Sequence, residues 1–216
     1  LGTITHLNAN EKTMDEVYKK IAENAKMYIP NYTIIYFDNL NAMQMGLEAG
    51  SVDEISLYEN VANYVIAHND KYETAAGVSM DKFADSFCFA VRKEDAALKA
   101  DLDKVIDEMK ADGSLDKLVK DYITDANTSA IEIPMTEGAD TIKIGVTGDL
   151  PPLDYVSADG QAAGFNTALL AEVAKRLGKN IEIVDIDSGA RAAALVSKQI
   201  DVIFWAIVPG NDNMPK

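Results

Sequence analysis

Cysteine, tryptophan and histidine are almost missing from this chain of 216 residues, which has one, one and two of them. A single thiol, Cys88, rules out a disulfide within the chain. Its place in the apolar run Phe87-Cys88-Phe89-Ala90-Val91 predicts a buried, unreactive group. His6 and His68 have no cysteine or histidine partners at metal-ligand spacing, so no metal is expected. Basic residues are scarce as well: 20 Lys and Arg face 35 Asp and Glu, a formal net charge of −15, with no basic cluster. That field repels phosphate and anionic lipid, which excludes nucleic acid as a partner class. No run approaches the roughly 18 apolar residues that cross a bilayer. No basic segment followed by an apolar one opens the chain, and its first residue is Leu1, which leaves room for a leader or a lipid anchor ahead of it. Neither a Gly-x-Ser-x-Gly elbow nor a phosphate-binding glycine loop occurs, so catalysis is not expected and no cofactor is implied.

What is present is a globular composition, 48% apolar, enough for one large or two small domains. Residues 32–55 laid over 180–203, an offset of 148, match at Ile35/Ile183, Ala42/Ala190, Leu47/Leu195, Asp53/Asp201 and Ile55/Ile203. Each copy reads strand, short helix, strand. Each follows an amphipathic helix, marked by Met14, Val17, Ile21 and Ala25 in one and by Phe165, Leu169, Val173 and Leu177 in the other. Thr13 and Glu16 form a capping box for the first of these helices, and Gly178 ends the second. Alternating strand and helix implies right-handed crossovers and a mainly parallel sheet in each copy. Between the copies lies a helical pair, 95–112 and 114–123, with an apolar stripe Leu98, Leu102, Val105, Ile106, Met109. Gly113 is its stop, and Ser114 is expected to cap the second helix.

Two passages carry a resemblance. Ile142-Lys-Ile-Gly-Val-Thr-Gly-Asp-Leu-Pro-Pro-Leu-Asp-Tyr155, then Asp159-Gly160 and Gly164-Phe165-Asn166, resembles the opening of type II periplasmic solute-binding proteins of family 3, the group serving amino-acid ABC importers. Leu153 stands where an aromatic is common in that group, and Asn166 where Asp is common. The run from Val91-Arg92-Lys93 through Asp112-Gly113-Ser114 to Tyr122 resembles the same family's C-terminal signature. The resemblance implies a two-lobed α/β fold, each lobe a mainly parallel sheet flanked by helices, with a ligand cleft between the lobes. The expected organisation is a second-lobe-like unit at 1–85, a strand and helical pair returning to the first lobe at 86–125, a linker at 126–140 and a first-lobe-like unit at 141–216. This order departs from the family's, as in a circular permutant or a window cut across tandem modules.

The resemblance also implies the function: an extracytoplasmic binding protein that captures a small polar solute, an amino acid or related compound, and hands it to a membrane permease. It would act as a monomer in the periplasm or at the cell surface. Other expectations are a ligand-sensing domain of a membrane receptor and a binding-protein-like module with a degenerate pocket. The family's anchors suggest Gly2 and Thr3 as an anion-holding pair at a helix N-terminus. Tyr58 falls where an ammonium-binding Asp is usual, and Asn213 where the carboxylate-binding Arg is usual, so Arg191 near Ser188 is the substitute cation. A solvated helix-face role for Arg191 is the competing expectation. Thr147, Leu150 and Tyr155 should line the mouth from the proline loop, and Trp205 with Ala206 should reach it at a strand end.

Overall fold

The computed structural model describes residues 1–4, 33–75, 87–157 and 159–207, with residues 205–207 described by backbone alone. The expected helix and capping box around residues 13–25, His6 and Asn213 lie outside the described residues. In chain order the described elements are β1 (Gly2–Ile4), β2 (Ile35–Phe37), α1 (Leu40–Glu48), α2 (Glu59–His68), β3 (Phe87–Val91), α3 (Ala96–Ala111) and α4 (Ser114–Leu118), which widens into a π turn at Val119–Thr124. There follow β4 (Thr141–Val146), β5 (Asp149–Leu150), β6 (Asp154–Val156), β7 (Ala162–Ala163), α5 (Phe165–Leu177), β8 (Asn180–Asp185), α6 (Arg191–Val196) and β9 (Val202–Ile207).

The fold is α/β, and the repeat in the sequence is a repeat in topology. In the larger lobe the order is β3-β9-β4-β8, with β4 parallel to both β8 and β9. In the smaller lobe β1 pairs in parallel with β2 on one side and meets Ile55 through a parallel bridge at Gly2 on the other. So β1 is the central strand of one copy as β4 is of the other. The larger core gathers one face of this sheet with α3 and α5: Ile144, Leu170, Val173, Val202 and Met109 are all fully buried. Their apolar positions recur at helical and strand spacing, which is why these segments pack as they do.

The return segment is integral to that core. β3 runs antiparallel to β9, and Leu102, Val105 and Met109 of α3 pack in the same cluster as β4 and α5. Arg92, just past β3, fixes the register: it donates to Leu195 O and Ile200 O at 3.0 and 2.6 Å and to Asp201 Oδ1 at 2.9 Å, while Asp95 pairs with its Nε at 2.7 Å. Gly113 stops α3 in the left-handed region, φ 76°, as expected. Ser114 does not cap α4. Its amide donates instead to Asp112 Oδ1 at 2.9 Å, and Ser114 with Arg176 holds the Asp112 carboxyl down at about 2. The tight turn leaves the serine inside the helix, so the capping side chain comes from the residue before the glycine.

The proline turn is a clamp on α5. The amides of Phe165 and Asn166 donate to Pro152 O and Leu153 O at 3.0 and 2.7 Å, so turn carbonyls satisfy the helix's first donors. Gly164 sits between them at φ 98°, where a Cβ would lie 2.6 Å from Leu153 O. The Asp159-Gly160 turn joins β6 to β7 as a hairpin.

Candidate functional site

The seam between the lobes is built from loop tips. From the smaller lobe come residues 38–41, ahead of and entering α1, and Tyr58 ahead of α2. From the larger lobe come the turn at 147–150, Asp154 and Tyr155 on β6, and the turn 187–191 between β8 and α6. Strand ends at a β-to-α crossover leave backbone groups and short polar side chains facing one another, the usual place for a ligand in α/β sheets.

At the centre are two buried charged side chains, Arg191 and Asp154, within electrostatic reach of each other. Arg191, 6% exposed, donates from Nη2 to Ser188 Oγ at 3.0 Å and from Nη1 to Phe204 O at 3.5 Å. The solvated helix-face role is therefore corrected: α6 turns this side chain inward, because Phe204 and Ser188 supply acceptors there. Asp154, 3% exposed, accepts from Thr147 Oγ1 at 3.0 Å, Gly148 N at 2.9 Å and Asn166 Nδ2 at 2.8 Å. Burial pushes the Asp154 carboxyl up to about 6, against the pull of those donors and of Arg191. Burial likewise lowers the Arg191 guanidinium from its ordinary value, against Asp154, Tyr58 and Asp149. Both shifts say the same thing: desolvation outweighs the mutual attraction. Asn166 has a physical reason where Asp is common. A carboxylate there would face Asp154, and an amide can donate to it instead.

Several predicted residues do converge. Thr147 bonds Asp154, Ser188 bonds Arg191, and Tyr58 lies within electrostatic reach of Arg191, its ring edge-on to Phe87 at 5.3 Å. Tyr155 lies beside Tyr64, ring centroids 6.1 Å apart, and burial followed by Tyr64 raises its phenol. Leu150 is 5% exposed and packs with Leu40, Met43, Val61, Val65 and Leu153, so it belongs to the core joining the lobes rather than to an open mouth. Trp205 and Ala206 lie on β9. Cys88 faces Ala206 and Phe89 faces Phe204, which makes Trp205 the extra residue of a β-bulge.

Gly2 and Thr3 are a correction. They form the central strand β1, not a helix N-terminus: Gly2 N donates to Glu54 O at 2.7 Å, and Gly2 O accepts from Ser56 N at 2.9 Å. Its amide and carbonyl are consumed by the ladder. Thr3 is 3% exposed in the same strand.

Sequence reasoning passed over Asp38, Asn39, Asp149 and Asp187, which meet across the seam. Leu40 N and Asn41 N donate to Asp149 Oδ2 at 2.6 and 3.4 Å, and Asn39 Nδ2 donates to Asp187 Oδ1 at 3.0 Å. Ser188 N donates to Asp38 O at 3.0 Å. Burial, followed in opposite senses by these amides and by Asp187, leaves the Asp149 carboxyl above its usual range. The repeat held the signal, since Asn39 and Asp187 are equivalent positions in its two copies. Among the described residues no group of three His, Cys, Asp or Glu could hold a metal, and no helix is long and apolar enough to cross a membrane.

Comparisons with known proteins each cover about a third of the chain. Residues 142–211 match the bacterial extracellular solute-binding proteins, family 3. The arginine-binding extracellular protein ArtP of Bacillus subtilis (strain 168) is 32% identical over 72 residues, 33% of this chain and 28% of that protein. The L-cystine-binding protein TcyJ of Escherichia coli (strain K12) is 28% identical over 76 residues, 35% of this chain and 29% of that one. The chain thus spans under a third of the length of the curated relatives it matches. Among solved structures, an arginine-bound mutant of ArgBP from T. maritima is 35% identical, covering 29% of this chain and 30% of its own, at a TM-score of 0.28. An ancestral cyclohexadienyl dehydratase is 30% identical over 31% of this chain and 27% of its own, at a TM-score of 0.29. Scores this low say nothing of how the lobes are arranged. Similarity to the bacterial extracellular solute-binding proteins, family 3, therefore rests on residues 142–211, the segment that includes β8, α6 and β9.

Proposed function

We propose that this chain is the solute-capturing component of an ABC importer, acting outside the cytoplasm and without catalysis. It would hold a small polar solute, an amino acid or related compound, by hinge closure of its two lobes and present it to a membrane permease. The observation that carries this reading is the gathering of Tyr58, Thr147, Ser188 and Arg191 around Asp154 at the lobe seam. The buried Arg191 guanidinium, within electrostatic reach of the buried Asp154 and the half-buried Asp149, offers complementary charge to both ends of a zwitterion once the lobes part. Tyr155 would cover the solute from the β6 side, and Trp205 and Ala206 from the end of β9. The curated relatives named for arginine and cystine support an amino-acid-like ligand. Action as a monomer, in the periplasm or lipid-anchored at the cell surface, is part of the same proposal.

The test is a thermal-shift screen of the full chain against amino acids including arginine and cystine, polyamines, oligopeptides, sugars and small carboxylates. A ligand at 100 times its dissociation constant adds about 2.7 kcal/mol. For a chain of this size that raises the midpoint by roughly 2–4 °C per kcal/mol. A shift of this size confined to amino-acid-like compounds supports the proposal. A flat response to all classes at millimolar concentration overturns it.

A further inference from the structure

The N-terminus of α1 carries no acidic residue of its own in its first turn. Asn39 accepts from the amide of Ala42 at 2.8 Å, leaving the amides of Leu40 and Asn41 to be satisfied from elsewhere. The acceptor is a carboxylate from the other lobe. Asp149 Oδ2 takes both, at 2.6 and 3.4 Å, aligned with the positive end of the helix. Beside it two further bonds cross the seam, Asn39 Nδ2 to Asp187 Oδ1 at 3.0 Å and Ser188 N to Asp38 O at 3.0 Å. Equivalent loops of the repeat thus bind one another, with Asn39 and Asp187 separated by 148 residues in the chain. Each of these four bonds joins a residue of the smaller lobe to one of the larger.

We propose that these loop tips form a polar latch that holds the lobes together in the absence of solute, with Asp149 as its bolt. The inference goes beyond solute capture and does not depend on it. Physically, Asp149 places a negative charge where the helix offers two unsatisfied donors, a charge-assisted contact stronger than the neutral bonds beside it. Losing it should release the neutral bonds too, because Asn39 and Ser188 are held only while the tips abut. The latch therefore sets how much of the chain stands open to a solute. Any solute that binds the open form competes with it.

Amide hydrogen exchange on the full chain, without added solute, tests this. Ser188 is the reporter: its amide crosses the seam to Asp38 O, an acceptor other than Asp149. In Asp149→Ala, exchange at Leu40, Asn41 and Ser188 should all quicken by about tenfold or more, while β4 amides keep their wild-type rates. Faster exchange at Leu40 and Asn41 with Ser188 unchanged would overturn the proposal, reducing Asp149 to a local helix cap. Should Asp149→Ala lose protection throughout β4, Asp149→Asn carries the test. It keeps the shape and one acceptor oxygen, so Ser188 should exchange at a rate between wild type and the open state, and a wild-type rate there refutes the latch equally. Neither outcome alters the solute screen, so the two readings fail separately.

Discussion

Asp154 is the residue whose burial makes the sharpest quantitative claim. Its carboxyl is 3% exposed and titrates at about 6 rather than at its ordinary 3.8. Between those values the folded chain holds a proton that the unfolded chain has released, so stability falls as pH rises through that interval. The contribution is fully present below pH 3.8 and gone above 6. A shift of this size corresponds to about 3 kcal/mol. Other carboxylates titrate in the same range, so the measurement is a difference. Asp154→Asn mimics the protonated acid at every pH, and urea unfolding of both proteins from pH 4 to 7 isolates the term. Relative to wild type, the variant should gain about 2.5 kcal/mol across that range, most of it between pH 4 and 6. Parallel curves, agreeing within about 1 kcal/mol, would mean that Arg191 and the three hydrogen-bond donors compensate the burial in full, and the reasoning would fall.

Two further outcomes follow from the same geometry. Arg191→Ala should remove the counter-charge of Asp154 and destabilise the chain by about 3–5 kcal/mol at pH 7, with a smaller loss at pH 5, where the carboxyl is protonated; equal losses in urea unfolding at both pH values would refute the pairing. Gly164→Ala brings a Cβ within 2.7 Å of the carbonyls of both Pro152 and Leu153 at φ 98°, so thermal unfolding should show a loss of about 1–3 kcal/mol or more, and an unchanged midpoint would rule out the clamp on α5.

The repeat was legible because both copies alternate apolar residues with strand and helix periods, and because Gly113 and Gly178 mark helix ends with a conformation that few other residues adopt. The long stripe from Leu98 to Met109 fixed α3 for the same reason. The site was less legible. Gly2-Thr3 looked like an anion-binding pair because a dipeptide carries no information about its register, and only the parallel partners Ile35 and Ile55 reveal a central strand. Asp149 and Asp154 are two among 35 acids, so composition hides them. What distinguishes them is tertiary: one meets the start of a helix from another lobe, and the other is enclosed by Thr147, Gly148 and Asn166. Arg191 had two expectations, and the burial that decides between them comes from Phe204, on a strand that follows it in the chain.

The unusual order of segments has a physical reading. β3 and α3 precede, in the chain, the strands β4 and β9 and the helix α5 that they pack against, yet they share one core with them. What permits this is the character of the join. Residues 125–140 are mostly exposed and form no helix or strand, so the connection adds loop-closure entropy while Ile133 packs against the edge of the larger core. The contacts that define the seam, Asp149 with α1, Asp187 with Asn39 and Ser188 with Asp38, link residues whose partners are fixed by the sheets and not by the order in which the sheets are threaded.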